Sequence, residues 1–273
     1  MPRISLPAEQ LGFLRDPREI VIYVPCCYEA STEQRFPVLY MHDGQNLFDP
    51  ATAFGGNPWG LEEIADELIR EDKIEPLIIV GIYNRGEERI YEYTHVKDRH
   101  GRGGGAKRYG QMIVQDLKPF IDREYRTMAD AANTALGGSS LGGLVTLYLG
   151  MQYPHIFGKW IVMSPSIWWS NRAILRRVKS LRKMPVKIWL DTGTCEGQNP
   201  ETCVKNTREV YQALLAKGWR PGEDLAYMED EGAGHDEKAW GFRIRHALEF
   251  LFPARRQREH EREHEDSERL IAQ

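Results

Sequence analysis

Hydrophobic residues along this chain alternate between short continuous runs and runs with helical spacing. A short apolar run bounded by turn residues is typical of a strand buried in a parallel sheet, whereas apolar residues three and four apart indicate a helix. The short runs predict strands at 19–24, 37–41, 76–83, 132–136, 159–163, 186–190 and 225–228. The helical patterns predict helices at 61–70, 109–125, 141–153, 173–181, 203–217 and 238–252.

This alternation predicts the α/β class, with a mostly parallel central sheet and helices on both of its faces. Composition does not change abruptly along the pattern, so one domain is expected over residues 1–253, with an irregular lead-in at 1–18. Residues 254–273 differ because nearly all of them are charged or histidine, which predicts a solvated helical extension or a disordered tail. Residues 84–107 are polar and rich in glycine, and they predict a long loop.

One short stretch carries the strongest chemical signal. Gly138, Ser140 and Gly142 form a G-x-S-x-G sequence between a predicted strand and a predicted helix, which is the context of a nucleophile elbow. Glycine on either side of the serine lets the strand and helix backbones approach closely. Ser139 does not fit, because Leu141 lies two residues after it. Ser140 is therefore the predicted nucleophile, and the alternative is a flexible loop without a chemical role.

A serine nucleophile needs a base that takes its proton and a third group that orients the base. In this architecture the chain order is serine, acid, histidine, and each group follows the carboxyl end of a strand. His235 meets both conditions, and the alternative is a turn histidine without a catalytic role. The acid should follow strand 186–190, where Asp191 and Glu196 both qualify; these residues alone do not decide between them.

An oxyanion hole needs two backbone N–H groups directed at the developing negative charge. Leu141, directly after the predicted nucleophile, supplies the first group. The loop after strand 37–41 supplies the second, and Gln45 is the predicted donor. His42 and Asp43 begin the same loop, and we interpret them as structural residues that hold it in place.

Two tryptophans follow a strand end near the predicted site. Trp168 and Trp169 come after strand 159–163, and paired tryptophans offer a flat apolar wall for an aryl or acyl group. We expect at least one of them to belong to the core, so either residue is a candidate for substrate binding.

Taken together, these motifs resemble the esterase D-like branch of the α/β hydrolases. The matching stretches, in chain order, are HDGQNLF (42–48), GSSLGG (138–143), SPSIWW (164–169), GTCE (193–196) and GHD (234–236). That branch includes siderophore trilactone esterases, feruloyl and acetyl-xylan esterases, S-formylglutathione hydrolases and mycolyltransferases. The resemblance extends from about residue 19 to 253. It implies an α/β-hydrolase fold and a serine esterase that works through an acyl-enzyme.

The resemblance also bears on the acid. In these relatives the acid closes a Gly-Thr-x-Asp/Glu turn, and Glu196 occupies that position here. The resemblance therefore favours Glu196 over Asp191 as the partner of His235. Some siderophore esterases of the branch resemble Ser/His dyads without an effective acid, so a mild effect of replacing Glu196 is also compatible with it.

Composition narrows the class of partner. The net charge of −4 and the pI near 6.1 give no electrostatic reason to expect nucleic acid or an anionic membrane as partner. No apolar run reaches the roughly 18 residues of a membrane span. The start of the chain lacks the pattern of a signal peptide, and the 4 cysteines fit a reducing compartment, so a cytoplasmic location is expected. Pairing of Cys195 with Cys203 stays open.

No metal or cofactor is expected. HEREH at 260–264 matches the H-E-x-x-H zinc pattern, but its neighbours are all charged and offer no dry cleft for a metal. The expected partner is a small-molecule ester of the aryl or feruloyl, acetyl or siderophore type. An acyltransferase with the same triad and a non-catalytic binding protein on this fold are the alternatives. The natural ester and the oligomeric state stay open.

Overall fold

The strands of this protein form one sheet in the computed structural model, which describes residues 3–7, 11, 14 and 16–254. The strands are β1 (Arg3–Leu6), β2 (Ile20–Tyr23), β3 (Val38–His42), β4 (Ile78–Ile82), β5 (Thr134–Ser139), β6 (Lys159–Met163), β7 (Lys187–Gly193) and β8 (Leu225–Asp230). The helices are α1 (Leu61–Arg70), α2 (Arg89–Tyr93), α3 (Ala106–Gln111), α4 (Lys118–Glu124), α5 (Leu141–Gln152), α6 (Trp169–Lys179), α7 (Pro200–Leu215) and α8 (Glu237–Leu251).

The strand order is β1-β2-β4-β3-β5-β6-β7-β8. The six strands β4, β3, β5, β6, β7 and β8 run parallel to one another. β1 and β2 pair antiparallel and form one edge of the sheet. The sheet is covered on both faces, because Val38 and Tyr40 of β3 belong to one apolar cluster and Leu39 and Met41 to the other. This arrangement confirms the predicted mostly parallel α/β fold, and it brings the carboxyl ends of six strands to one edge of the sheet.

Two elements were missed by the sequence analysis. The predicted lead-in contains β1, a short edge strand whose four residues are too few to show a pattern. The predicted loop at 84–107 contains α2, whose five residues span little more than one helical turn. Short elements of this kind are fixed by tertiary contacts rather than by their own periodicity.

Two predicted helices have irregular turns. The helix expected at 109–125 contains a π-helical segment, Met112–Leu117, directly before α4. Pro119 lies in the first turn of α4 and has no N–H to donate, which accounts for the widened turn before it. In α6 the residues Ser170, Asn171 and Arg172 have left-handed backbone angles, so regular helix begins at Ala173, where it was predicted.

The remaining predictions concern cysteines, metals and membranes. All four cysteines are free, so Cys195 and Cys203 do not pair in this structure. Within the described residues, no group of three or more His, Cys, Asp or Glu side chains is arranged to hold a metal ion. No helix in that part of the chain is long and apolar enough to cross a membrane. The charged tail and its HEREH sequence lie outside the described residues, apart from residue 254.

Candidate active site

Ser140 lies at a sharp turn between β5 and α5. Its backbone angles, φ 57° and ψ −119°, are unfavourable for any residue other than glycine and are typical of a nucleophile elbow. The turn requires close backbone approach, since a Cβ on Gly143 would lie 2.6 Å from the carbonyl oxygen of Met163. The elbow therefore holds the Ser140 hydroxyl at the carboxyl edge of the sheet.

The structure brings Ser140, His235 and Glu196 into one hydrogen-bonded chain. Ser140 Oγ lies 2.9 Å from His235 Nε2, and His235 Nδ1 lies 2.9 Å from Glu196 Oε2. His235 is in the turn between β8 and α8, where Asp236 caps the helix by accepting the N–H of Ala239. The imidazole and the indole of Trp240 pack in a T-shaped arrangement, with 4.9 Å between ring centroids. These contacts fix the ring orientation that both hydrogen bonds require.

The Glu196 carboxylate is buried and well supplied with donors. Its Oε1 accepts the N–H of Gly193 at 2.6 Å and the hydroxyl of Ser164. Burial alone would raise the pKa of Glu196, but the hydrogen bonds from His235, Ser164 and Gly193 outweigh it and hold the pKa below its usual value. The carboxylate is therefore ionised at neutral pH and able to orient an imidazole.

Asp191, the other candidate acid, has different partners. It lies within β7 rather than after it, and its carboxylate is fully buried. Its Oδ2 accepts the indole N–H of Trp189 at 2.7 Å, and its Oδ1 lies 3.2 Å from Nε of Arg243. Burial raises the pKa of Asp191 to about 6, against the opposing charge of Arg243. The structure thus places Glu196, and not Asp191, next to His235.

A buried arginine beneath the site was missed by the sequence analysis. Arg243 of α8 is fully buried and lies 3.2 Å from Asp191, 3.4 Å from Glu196 and 3.7 Å from Asp230. It also donates to Ser164 Oγ at 2.7 Å, and that hydroxyl in turn donates to Glu196. The sequence offered one signal for it, a charged residue on the apolar face of the predicted helix 238–252. A charge buried at such a position requires charged partners, so acidic residues nearby were to be expected.

The two predicted oxyanion donors lie after adjacent strands of the sheet. Leu141 is the first residue of α5, so its N–H has no acceptor within the helix. Gln45 is in the middle of a 3₁₀ turn, Gly44–Asn46, whose first hydrogen bond runs from the Asn46 N–H to the Asp43 carbonyl at 2.9 Å. That pattern leaves the N–H of Gln45 outside the turn's own hydrogen bonding.

His42 and Asp43 make contacts that agree with a structural role. His42 is buried, and its Nδ1 lies 2.8 Å from the hydroxyl of Tyr109. Asp43 has a left-handed backbone with φ 57° and forms two hydrogen bonds with Arg89, at 2.8 and 2.7 Å. Asn84 donates to the same carboxylate at 2.7 Å. Arg89 was not predicted, because it lies in the missed helix α2.

Burial of His42 predicts a pH dependence of stability. Burial lowers the pKa of His42 from its usual 6.5 to about 3. The unfolded chain therefore binds a proton there below about pH 6.5, whereas the folded protein does not until about pH 3. The contribution of His42 to the free energy of unfolding is complete above pH 6.5. It is lost as the pH falls, by about 1.4 kcal/mol per pH unit.

Urea unfolding at pH 7, 6 and 5 measures this effect when wild type is compared with His42→Asn. The asparagine side chain keeps a polar atom near the position of Nδ1 but does not titrate. We expect the wild-type free energy of unfolding to fall more steeply between pH 6 and 5, by about the slope of one proton. Parallel pH profiles for the two proteins would contradict the inference.

The two tryptophans have different environments. Trp169 is only 3% exposed, and its indole N–H donates to the carbonyl of Val96 at 2.8 Å. Trp168 is 58% exposed and packs against Trp169 with 5.8 Å between ring centroids. Ser166, two residues earlier, was not singled out from the sequence, and its hydroxyl lies 3.3 Å from Ser140 Oγ. Trp168 is thus the one of the pair with surface available to a ligand.

The nucleophile elbow, the His235 turn after β8 and the mostly parallel sheet define an α/β hydrolase. The chain belongs to the family described as "Putative esterase", whose model matches residues 13–251. This membership and the relatives below confirm the resemblance drawn from the motifs, and they indicate a carboxylic ester hydrolase.

Several known proteins are similar to this chain. The ferri-bacillibactin esterase BesA of Bacillus subtilis is 29% identical over an alignment of 227 residues, and the match covers 73% of each protein. YbbA of the same organism, named as an uncharacterized protein, is 26% identical over 245 residues, 86% of this chain and 92% of its own. The crystal structure of BES protein from Bacillus cereus superposes with a TM-score of 0.71 at 23% identity, covering 92% of this chain and 94% of that chain. At that identity the structural match supports the fold alone.

Proposed function

We propose that this protein hydrolyses carboxylic esters in two steps, through an acyl-enzyme on Ser140. The observation that carries the proposal is the pair of 2.9 Å contacts that join Ser140 to His235 and His235 to Glu196. In this scheme Ser140 is the nucleophile, His235 the general base and acid, and Glu196 the group that orients His235.

The first step forms the acyl-enzyme. Ser140 Oγ attacks the ester carbonyl carbon while His235 Nε2 takes its proton, and the Glu196 carboxylate accepts the N–H of Nδ1 and stabilises the imidazolium. The carbonyl oxygen becomes an oxyanion that accepts hydrogen bonds from the N–H groups of Gln45 and Leu141. As the tetrahedral intermediate collapses, the bond to the alcohol oxygen breaks. His235 gives its proton to that oxygen, and the alcohol leaves.

The second step releases the acid. His235 takes a proton from water while the water oxygen attacks the acyl carbon, and the same N–H groups hold the new oxyanion. The bond to Ser140 Oγ then breaks, and the proton on His235 returns to the serine. One ester and one water thus give one carboxylic acid and one alcohol, and Ser140 is regenerated.

The substrate class that we propose is an aryl or feruloyl, acetyl or siderophore-type ester. Trp168 lies two residues after Ser166, whose hydroxyl is close to Ser140, and its indole is exposed. Such a side chain can stack against an aromatic group of the bound ester, which supports an aryl or feruloyl substrate. BesA, the similar protein from Bacillus subtilis, is named a ferri-bacillibactin esterase, and this name supports the siderophore type within the proposed class.

Replacing the Trp168 side chain with a small one, in Trp168→Ala, tests whether an aromatic acyl group binds there. Removing an aromatic contact of about 1–3 kcal/mol should raise KM for methyl ferulate by about 10- to 100-fold. Trp168→Phe keeps an aromatic ring and serves as the matched control, which should stay near wild type. The KM for p-nitrophenyl acetate, with its small acyl group, should change much less. Equal effects on both esters would contradict a contact with the aromatic acyl group.

Hydrolysis of an ester panel tests the proposed function as a whole. The panel is p-nitrophenyl acetate, methyl ferulate and a ferric catecholate trilactone, with product acid measured in each case. We expect stoichiometric acid and alcohol from at least one ester, and labelling of wild-type Ser140 by a fluorophosphonate. An added acceptor alcohol that diverts most of the acyl group would indicate an acyltransferase instead. An inert Ser140 would indicate a binding protein.

A further inference from the structure

We propose that Arg89 is a positioning residue of this active site, which acts through Asp43 on the loop that carries Gln45. The inference rests on the proposed function, since it concerns the oxyanion hole of that mechanism. Arg89 contacts no atom of the Ser140–His235–Glu196 chain among the hydrogen bonds and ion pairs described above; its effect passes through the loop after β3.

The first observation is the strained backbone of Asp43. A left-handed conformation at a residue with a side chain costs about 1 kcal/mol or more, so surrounding contacts must hold it. The Asp43 N–H donates to the hydroxyl of Tyr93 at 3.1 Å, and its carboxylate receives both Arg89 and Asn84. Arg89 and Tyr93 are the first and last residues of α2, so this short helix binds both the backbone N–H and the side-chain carboxylate of Asp43.

The second observation is that Asp43 sets the direction of the following turn. Its carbonyl accepts the N–H of Asn46, and that bond defines the turn containing Gln45. Gly44 is pressed against β4, where a Cβ would lie 2.4 Å from the backbone carbon of Gly81. The side chain of Gln45 accepts the N–H of Asn84 at 3.3 Å. A rotation at Asp43 would therefore move the Gln45 N–H away from the nucleophile.

The third observation is the charge of Asp43 beside the elbow. A Cβ placed on Gly142 would lie 3.4 Å from Asp43 Oδ2, so the carboxylate is next to the first turn of α5. A negative charge at this position opposes an oxyanion held by Leu141, unless a cation neutralises it. The guanidinium of Arg89, held against the Asp43 carboxylate by two hydrogen bonds, is that cation. Although burial would raise the pKa of Asp43, the Arg89 charge and its hydrogen bonds hold it below the usual value.

Kinetics of Arg89→Ala and Arg89→Lys test the proposal. With p-nitrophenyl acetate, we expect kcat of Arg89→Ala to fall by about 100-fold with little change in KM, because the ground state does not use the oxyanion hole. Arg89→Lys should recover only part of this, since an ammonium cannot bind a carboxylate in two-pronged fashion. Methylguanidine added to Arg89→Ala should restore kcat and leave wild type unaffected.

The affinity for phenylboronic acid separates positioning from a merely structural role. The boronate forms a tetrahedral anion on the serine, so its affinity should fall in Arg89→Ala by a factor close to that of kcat. Arg85→Ala is the matched control, because Arg85 precedes the same helix, is exposed, and pairs with Asp16 and Glu92 instead. It should leave kcat and boronate affinity unchanged.

Three outcomes would overturn the proposal: an unchanged kcat in folded Arg89→Ala, a rise in KM alone, or a lower melting temperature with unchanged boronate affinity. Failure of the proposed function is distinguishable from these. In that case, either wild-type Ser140 would not react with the fluorophosphonate or Ser140→Ala would retain the wild-type activity, whatever the behaviour of Arg89→Ala.

Discussion

Ser140→Ala should lower kcat for every ester that the protein hydrolyses by about 10⁴- to 10⁶-fold. The elbow holds this hydroxyl 2.9 Å from His235 Nε2, and without it no acyl-enzyme can form. Residual activity would come from water attack assisted by His235 and the oxyanion donors. Because only one oxygen atom is removed, the free energy of unfolding should stay within about 1 kcal/mol of wild type.

Ser139→Ala is the matched control for this loss. Ser139 is the neighbouring serine in the same motif, but it is buried at the end of β5. Its replacement should leave kcat near the wild-type value. If Ser139→Ala removes activity and Ser140→Ala retains it, the nucleophile has been assigned to the wrong serine.

Glu196→Gln should lower kcat by about 10²- to 10⁴-fold, while Asp191→Asn should leave kcat close to wild type. The glutamine keeps the shape of Glu196 but not the charge that stabilises the His235 imidazolium. Asp191 instead contacts Trp189 and Arg243. Its replacement should appear in stability, at a cost of about 3 kcal/mol, because one partner of a buried ion pair is removed.

Steady-state kinetics and urea unfolding of both variants decide between the two acids. The opposite pattern, with kcat lost in Asp191→Asn and kept in Glu196→Gln, would reverse the assignment of the acid. If both variants keep the wild-type kcat, the protein works as a Ser/His dyad, and Glu196 serves only to hold the loop between β7 and α7.

The features that the sequence predicted well are those encoded by local pattern. The buried strands are continuous apolar runs because helices cover both faces of the sheet, so they were recognisable without any knowledge of their neighbours. The elbow was recognisable because close packing requires glycine around Ser140. His235 followed from chain order, and the turn that contains Glu196 followed from the family resemblance.

The features that were missed depend on contacts between distant parts of the chain. Arg243 joins Asp191, Glu196 and Asp230, which lie on two strands and a loop. Arg89 reaches Asp43 across 46 positions of sequence, from a helix too short to leave a periodic pattern. The spacing of residues along the chain does not predict which distant residues pair in this way. The choice between Asp191 and Glu196 failed on local reasoning for the same reason, because both follow the predicted strand.

Rapid-quench peptide mapping determines whether Ser140 is the residue that becomes acylated during turnover. Wild type and Ser140→Ala are mixed with p-nitrophenyl acetate or methyl ferulate, quenched in acid during turnover, digested and analysed by mass spectrometry. We expect an acyl group on Ser140 in wild type, formed with a burst of alcohol release, and none in the variant. An acyl group on another residue, or turnover without any covalent acyl group or burst, would contradict it.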